Sequence, residues 1–395
     1  MKFKLSLLLL VVGGTLSHAA GITFTKGTLS ELLAKAKQEN KLLFIDCYTT
    51  WCGPCKWMEK IVFPNDTVGK FYNDHFVCAS FDMEKGEGIE MVKQYDVHCY
   101  PTYLFINGKG ELVHRQSSAY PVSKFVELGE NALLPEKQYG TLQTKYSTGT
   151  IAPSEIIQYM AMRKATCLST DVELETYIKT QSEADYIKRE NWFVLQTYVA
   201  DPHNTMFRYL LTHRAPFEER YTTDSVQYVM ERVYANAMGK CLYAKEPDTT
   251  AYQKLRKEVI NLKLPFSEKL ALGSDMSLYA VTKQWDEYAK VSATYIAAYA
   301  DSDWSFLNNV AWTFYEHLED PVNLDKAIAW SKKSVELNTN YYNTDTYAAL
   351  LYKRGKKSEA ETAAKQAIAL AEKEGMDSTP TKDLLKKIQA MKPNK

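Results

Sequence analysis

Two cysteines three apart, where a strand meets a helix, constrain this chain more than anything else in it. They are Cys52 and Cys55, within Trp51-Cys52-Gly53-Pro54-Cys55-Lys56. The preceding run Lys41-Leu42-Leu43-Phe44-Ile45-Asp46 is apolar, of strand type, and ends in a carboxylate. After the pair, Trp57, Met58, Ile61 and Val62 recur at helical spacing. Cysteines three apart at a helix start share one face, close enough to bond each other. Pro54 fits the first turn, where a backbone N–H has no helical partner anyway. The unpaired N–H groups of that turn point at the Cys52 sulfur and favour its anion. That field is worth about 0.3–1 kcal/mol, or ~2 when partly buried. A field of that sign lowers the pKa of the thiol. The thiolate is the nucleophile, so Cys52 is the reactive sulfur. A CxxC pair also suits half a zinc site. Zinc needs two further ligands, and the sequence offers no second CxxC and no His-x3-His.

WCGPCK between a strand and a helix resembles the active site of the thioredoxin family. Asp46, six residues before Cys52, matches the buried acid that family keeps beneath its cysteines. Tyr100-Pro101-Thr102, leading into the apolar Tyr103-Leu104-Phe105-Ile106, resembles the family's cis-proline loop, which faces the cysteine pair. The resemblance covers residues 21–136. It implies a thiol–disulfide oxidoreductase acting on protein disulfides, with Cys52 as nucleophile and Cys55 as the thiol that resolves the mixed disulfide. Asp46 is then the proton relay for Cys55; a carboxylate at the end of a central strand is poorly solvated, so its pKa rises toward working pH. Trp51, Gly53 and Pro54 form the lip around Cys52. The backbone just before Pro101 pairs with an extended substrate strand, flanked by Tyr100. The resemblance implies no cofactor beyond the redox-active cysteine pair, and no metal. CGPC resembles reducing members of the family more than strongly oxidising ones.

Periodicity leads to the same fold independently. Ile22–Thr25 reads as a short strand, and Thr28 or Ser30 can cap a helix through Leu32, Leu33 and Ala36. Strands follow at 41–46 and 76–81, with helices between and after them, the last carrying the stripe Ile89, Val92 and Tyr95. Asn107-Gly108 signals a hairpin joining the strand after Pro101 to one at 112–116. A helix over 121–134 closes the domain. The order β-α-β-α-β-α-β-β-α predicts a mixed sheet with helices on both faces, an α/β thioredoxin fold.

A chain of 395 residues exceeds one domain. Lys+Arg and Asp+Glu are equal at 48 each, which gives no electrostatic argument for nucleic acid. Residues 1–20 read as an export signal: Lys2 and Lys4, then an apolar core at 5–12 too short to span a membrane, then small residues at Ser17-His18-Ala19-Ala20. Export implies a periplasmic or secreted protein, with no membrane span once the signal is removed. Reducing chemistry outside the cytosol requires an envelope electron donor or acceptor that the sequence does not name. The seven cysteines cannot all pair. One redox pair plus scattered buried thiols is therefore expected, with Cys47 and Cys78 inert in core strands. Cys99, two residues before Pro101, reads as a partly buried thiol or as a third redox thiol.

Residues 137–152, with Gly140 and Gly149 among Thr and Ser, read as a linker with room for a helical turn inside. From 153 to 395 apolar residues at spacings of three and four predict an all-α domain of helical hairpins stacked as a solenoid. Asp325–Leu337 aligns with Ser358–Leu370 at an offset of 33, and Ala360, Ala364 and Ala367 resemble the small positions of tetratricopeptide repeats, so such repeats are expected near 305–375. Stacked hairpins make a surface suited to a protein partner. Two other readings remain open at this stage. One is a binding scaffold whose redox pair is incidental or structural. The other is a disulfide isomerase.

Overall fold

The computed structural model describes residues 21–392. The export signal expected at 1–20 lies outside them. The chain divides into two compact units, one ending at Tyr198 and one beginning at Val199.

In the first unit Thr28 caps α1 (Leu29–Glu39) through a reciprocal box: Glu31 N–H donates to Thr28 Oγ1 and Thr28 N–H to the Glu31 carboxylate. The central strand is β1 (Leu42–Tyr48). It pairs in parallel with β2 (Phe76–Asp82) and antiparallel with β3 (Thr102–Ile106), which pairs antiparallel with β4 (Leu112–Ser117). The order is β2-β1-β3-β4. Side chains alternate across β1 because the strand period is two. Leu43, Ile45 and Cys47 pack with Leu32 and Ala36 of α1 and with Met91 of α4 (Gly88–Tyr95) on one face. Phe44 points to the other face. There it meets Met58 and Val62 of a π-helical turn (Met58–Val62) that prolongs α2 (Gly53–Trp57), Tyr72 of α3 (Asp66–His75) and Phe125 of α5 (Val122–Leu133). The same alternation turns Asp46 toward the face that carries α2. This is the thioredoxin fold.

The strand expected at Ile22–Thr25 is reduced to a single bridge between Phe24 and Cys78. Its donors go elsewhere: Ile22 N–H to Phe63 O and Thr23 N–H to Asn73 Oδ1, so no ladder forms. The stretch expected as a linker is ordered helix, α6 (Tyr139–Ser147). Tyr139 and Leu142 are buried, and Tyr139 N–H donates to His114 Nδ1 at 3.3 Å. Buried Arg115 on β4 stands over the Tyr139 ring and donates to the carbonyls of Tyr95 and Asp96, both at 2.9 Å. Composition alone reads Thr, Ser and Gly as loop; β4 supplies the apolar and cationic surface that orders them. With α7 (Pro153–Ala165), α8 (Asp171–Lys179) and α9 (Arg189–Thr197), α6 belongs to the first unit.

His114 carries a pH consequence. Burial pushes its pKa down from 6.5 to about 4. The unfolded chain takes up this proton as pH falls below 6.5, while the folded chain resists until about 4. Stability present above pH 6.5 is therefore lost toward pH 4, by about 3 kcal/mol. In His114→Gln, urea unfolding at pH 7 and pH 4 should show that drop reduced by about this amount.

The second unit is helical, from α10 (Thr205–Thr212) to α20 (Thr379–Ala390). Its C-terminal core joins α16 (Trp304–His317), α17 (Pro321–Leu337), α18 (Tyr341–Lys353) and α19 (Lys357–Glu374) through Leu307, Phe314, Ala327, Leu351 and Ala360. Each aligned sequence segment lies on one helix, Asp325–Leu337 on α17 and Ser358–Leu370 on α19. Ala360, Ala364 and Ala367 are fully buried. Among the described residues no helix is long and apolar enough to cross a membrane.

Candidate active site

Cys52 is the N-cap of α2, and its sulfur accepts the Cys55 N–H at 3.1 Å. Cys52 and Cys55 are bonded to each other, with Cα atoms 5.3 Å apart. A residue in the first turn must leave its N–H unpaired or find a local acceptor, and here the sulfur is that acceptor. Pro54 is the second residue of α2, within the first turn, where its missing N–H forfeits no helical bond. Both cysteines are largely covered, 3% and 6% exposed, while Trp51 beside them is 66% exposed. Its indole N–H donates to Glu84 Oε1 at 2.9 Å, and its ring meets Tyr100 edge-on at 6.1 Å. Nothing lies within 4 Å of where a Gly53 side chain would begin, so the surface above the pair is open.

Asp46 is buried, and its register partner on β2 is Ser80, whose hydroxyl donates to Oδ2 at 3.0 Å. The other oxygen, Oδ1, is buried without a hydrogen-bond partner. Burial pushes the carboxyl up to about 7; the Ser80 bond lowers it and the Glu59 carboxylate raises it. Asp46, Ser80, Cys55 and Glu59 line one cavity of about 470 Å³. The acid, the inner cysteine and a solvent-side carboxylate therefore share one space, wide enough for water to carry a proton between them.

The Tyr100–Pro101 peptide bond is cis. Pro101 O accepts the Ser117 hydroxyl at 2.6 Å and the Ser118 N–H at 3.3 Å. Among the described residues the Tyr100 N–H and carbonyl make no backbone hydrogen bond. That leaves one residue beside the pair able to receive an extended strand.

Cys47 and Cys78 are buried free thiols; burial pushes both pKa values up, that of Cys78 to about 12. Cys99 departs from expectation. It is bonded to Cys167, which follows α7, with Cα atoms 6.1 Å apart. Seven cysteines leave room for a second bridge beside the first, and 68 residues of separation hide the pairing from any local pattern. Sequence reasoning also missed Ser80, Glu59 and Glu84. Only the parallel register between β1 and β2 puts Ser80 beside Asp46. Among the described residues no cluster of three or more His, Cys, Asp or Glu could hold a metal ion.

The N-terminal region is a thioredoxin-like domain. Residues 23–108 match the family model described as thioredoxin-like. The chain is 33% identical over 110 residues to the chloroplastic thioredoxin Y of Oryza sativa subsp. japonica, covering 28% of this chain and 60% of that protein. It is 37% identical over 68 residues to thioredoxin-1 of Drosophila melanogaster, covering 17% of this chain and 59% of that one. Among solved structures it is similar to a putative disulphide-isomerase from Bacteroides thetaiotaomicron: 46% identity, 30% of this chain and 97% of that chain, TM-score 0.28. The chain thus spans about three fifths of the length of the two thioredoxins.

Proposed function

We propose that this chain is an exported thiol–disulfide oxidoreductase that exchanges disulfides with protein substrates through Cys52 and Cys55. The observation that carries this reading is the bonded pair at the start of α2, sharing its cavity with a buried carboxyl poised near neutrality. Thioredoxins among its relatives support the same chemistry.

In the reduced enzyme the Cys52 thiolate attacks one sulfur of a substrate disulfide. A mixed disulfide forms, and the first substrate sulfur leaves as a thiolate that takes a proton. Asp46, ionised, removes the proton of the Cys55 thiol through the shared cavity. The Cys55 thiolate attacks Cys52 Sγ and expels the second substrate sulfur. Two electrons have passed to the substrate, and Cys52–Cys55 is bonded. A dithiol donor in the envelope returns the pair to its reduced form by the same steps reversed. An extended substrate segment lies against the Tyr100 backbone, with Pro101 behind it and Trp51, Gly53 and Pro54 forming the lip around the sulfur.

The export signal at 1–20 supports a periplasmic or secreted location. The helical hairpins of the second unit, with the small buried Ala360, Ala364 and Ala367, support tetratricopeptide-like repeats that position a protein partner. The trapping experiment tests the reading. With Cys55→Ser the mixed disulfide has no resolving thiol, so protein partners should remain bonded to Cys52 and be released by a reducing agent. If that variant captures nothing, and partners bind the helical unit alone, the protein is a scaffold.

A further inference from the structure

We propose that Cys99–Cys167 is a second thiol–disulfide exchange site, which takes a dithiol as reductant and whose redox state adjusts the substrate platform at Pro101. Its effect on the platform rests on the function proposed above; the exchange itself does not. Cys167 lies on the surface, just past the end of α7, and Cys99 is half-buried. Exposed disulfides are the labile, regulatory ones, because an attacking thiolate can reach them. Cys47 and Cys78 are sealed in the core and offer no such access.

The bond ends one residue from Tyr100, whose ring touches Trp51 at the lip of the first pair. Ser117 connects them. Its hydroxyl oxygen lies 3.3 Å from Cys99 Sγ and 2.6 Å from Pro101 O. A serine hydroxyl has one proton to donate. While Cys99 is bonded to Cys167, that proton serves the Pro101 carbonyl. A Cys99 thiol carries an S–H that Ser117 Oγ can accept, so reduction changes the partners of the hydroxyl that holds the Pro101 carbonyl. Reduction also removes the covalent tie between this loop and Cys167, which follows α7. Thr102 keeps its own bond to Cys99 O at 2.6 Å, so the loop stays anchored at β3 while its tip is released.

The exchange balances. One thiolate of the dithiol attacks exposed Cys167 Sγ, forms a mixed disulfide there and expels Cys99 as a thiolate, which Ser117 can solvate. The second thiol of the reductant, losing its proton, attacks the mixed disulfide and expels the Cys167 thiolate. Two electrons enter the chain, Cys99 and Cys167 each gain a proton, and the reductant closes its own disulfide.

The test uses the full chain with Cys52→Ser and Cys55→Ser, so it reads this pair whether or not the first one turns over. The oxidised protein is treated with dithiothreitol without denaturant and quenched with an alkylating reagent, and labelled cysteines are mapped by mass. Labelling of Cys99 and Cys167 together, reversed when oxidised dithiothreitol replaces the reductant, is the expected result. Labelling only after denaturation, or a pair that is never bonded, overturns the proposal. The platform is read in the otherwise unchanged chain carrying Cys167→Ser, with a protein disulfide as substrate. There KM should shift about fivefold or more with kcat held, the scale of coupling between linked sites. An unchanged KM overturns the coupling. The labelling measurement alters neither Cys99 nor Cys167, so it decides the exchange even if Cys167→Ser fails to fold.

Discussion

Cys52→Ser should lower the turnover of protein disulfides by about a thousandfold or more, while leaving the fold in place. Serine is as good a cap as the sulfur it replaces, and its oxygen can accept the Cys55 N–H that Cys52 Sγ accepts now. The helix start is therefore kept, and what disappears is chemical. A hydroxyl does not ionise near neutral pH, and a field worth about 1 kcal/mol at the helix start cannot make it do so. Its neighbours cannot stand in: Cys55 lies deeper on the helix, and Cys47 and Cys78 are buried with raised pKa values. Turnover is measured as reduction of a protein disulfide, with circular dichroism and thermal unfolding compared against the reduced parent. Residual turnover within tenfold of the parent would place the chemistry elsewhere in the molecule.

Asp46→Asn should have opposite effects on stability and on rate. The carboxyl rises from 3.8 to about 7 on folding, chiefly by burial. Below pH 3.8 it is protonated in both the folded and the unfolded chain, so it makes no difference. Between 3.8 and 7 the unfolded chain ionises while the folded chain keeps its proton, and stability falls as pH rises. Above 7 the loss is complete, at about 4 kcal/mol. Asn has the shape of the protonated acid and never ionises. The variant should therefore be about 4 kcal/mol more stable than the parent at pH 8, with the gain vanishing toward pH 3.5. Turnover at neutral pH should fall about a hundredfold, because the Cys55 proton loses its acceptor. Denaturant unfolding at the two pH values decides it. An equal stability change at both would mean that the Asp46 carboxyl titrates alike folded and unfolded.

The opening fold and the first pair were legible because their signals are local. Leu42 to Tyr48 is an apolar run in sequence, and its alternation already says that Asp46 leaves the Leu43–Ile45 face. Cys52 and Cys55 are one helical turn apart, so their meeting needs no knowledge of the rest of the chain. The cis bond at Tyr100–Pro101 was anticipated through the family resemblance, not through any local rule. Ile22–Thr25 was misread because strand propensity cannot tell whether a neighbour's donors and acceptors are free; Phe63 and Asn73 had already engaged this segment. At 139–147 the sequence suggests no more than a helical turn in a linker, because Thr, Ser and Gly lower helix propensity; burial of Tyr139 beneath Arg115 extends it to a nine-residue helix.

By itself the amino-acid order determined the strand, the turn of helix and the two sulfurs joined at its start, since each is written within a dozen residues. Only the folded chain decided that Ser80 would hold Asp46, that Glu59 would share its cavity and that Cys99 would find Cys167. Those contacts join residues 13 to 68 positions apart. Closing such distances costs entropy that no short pattern encodes, and the packing of the whole unit supplies the free energy that offsets it.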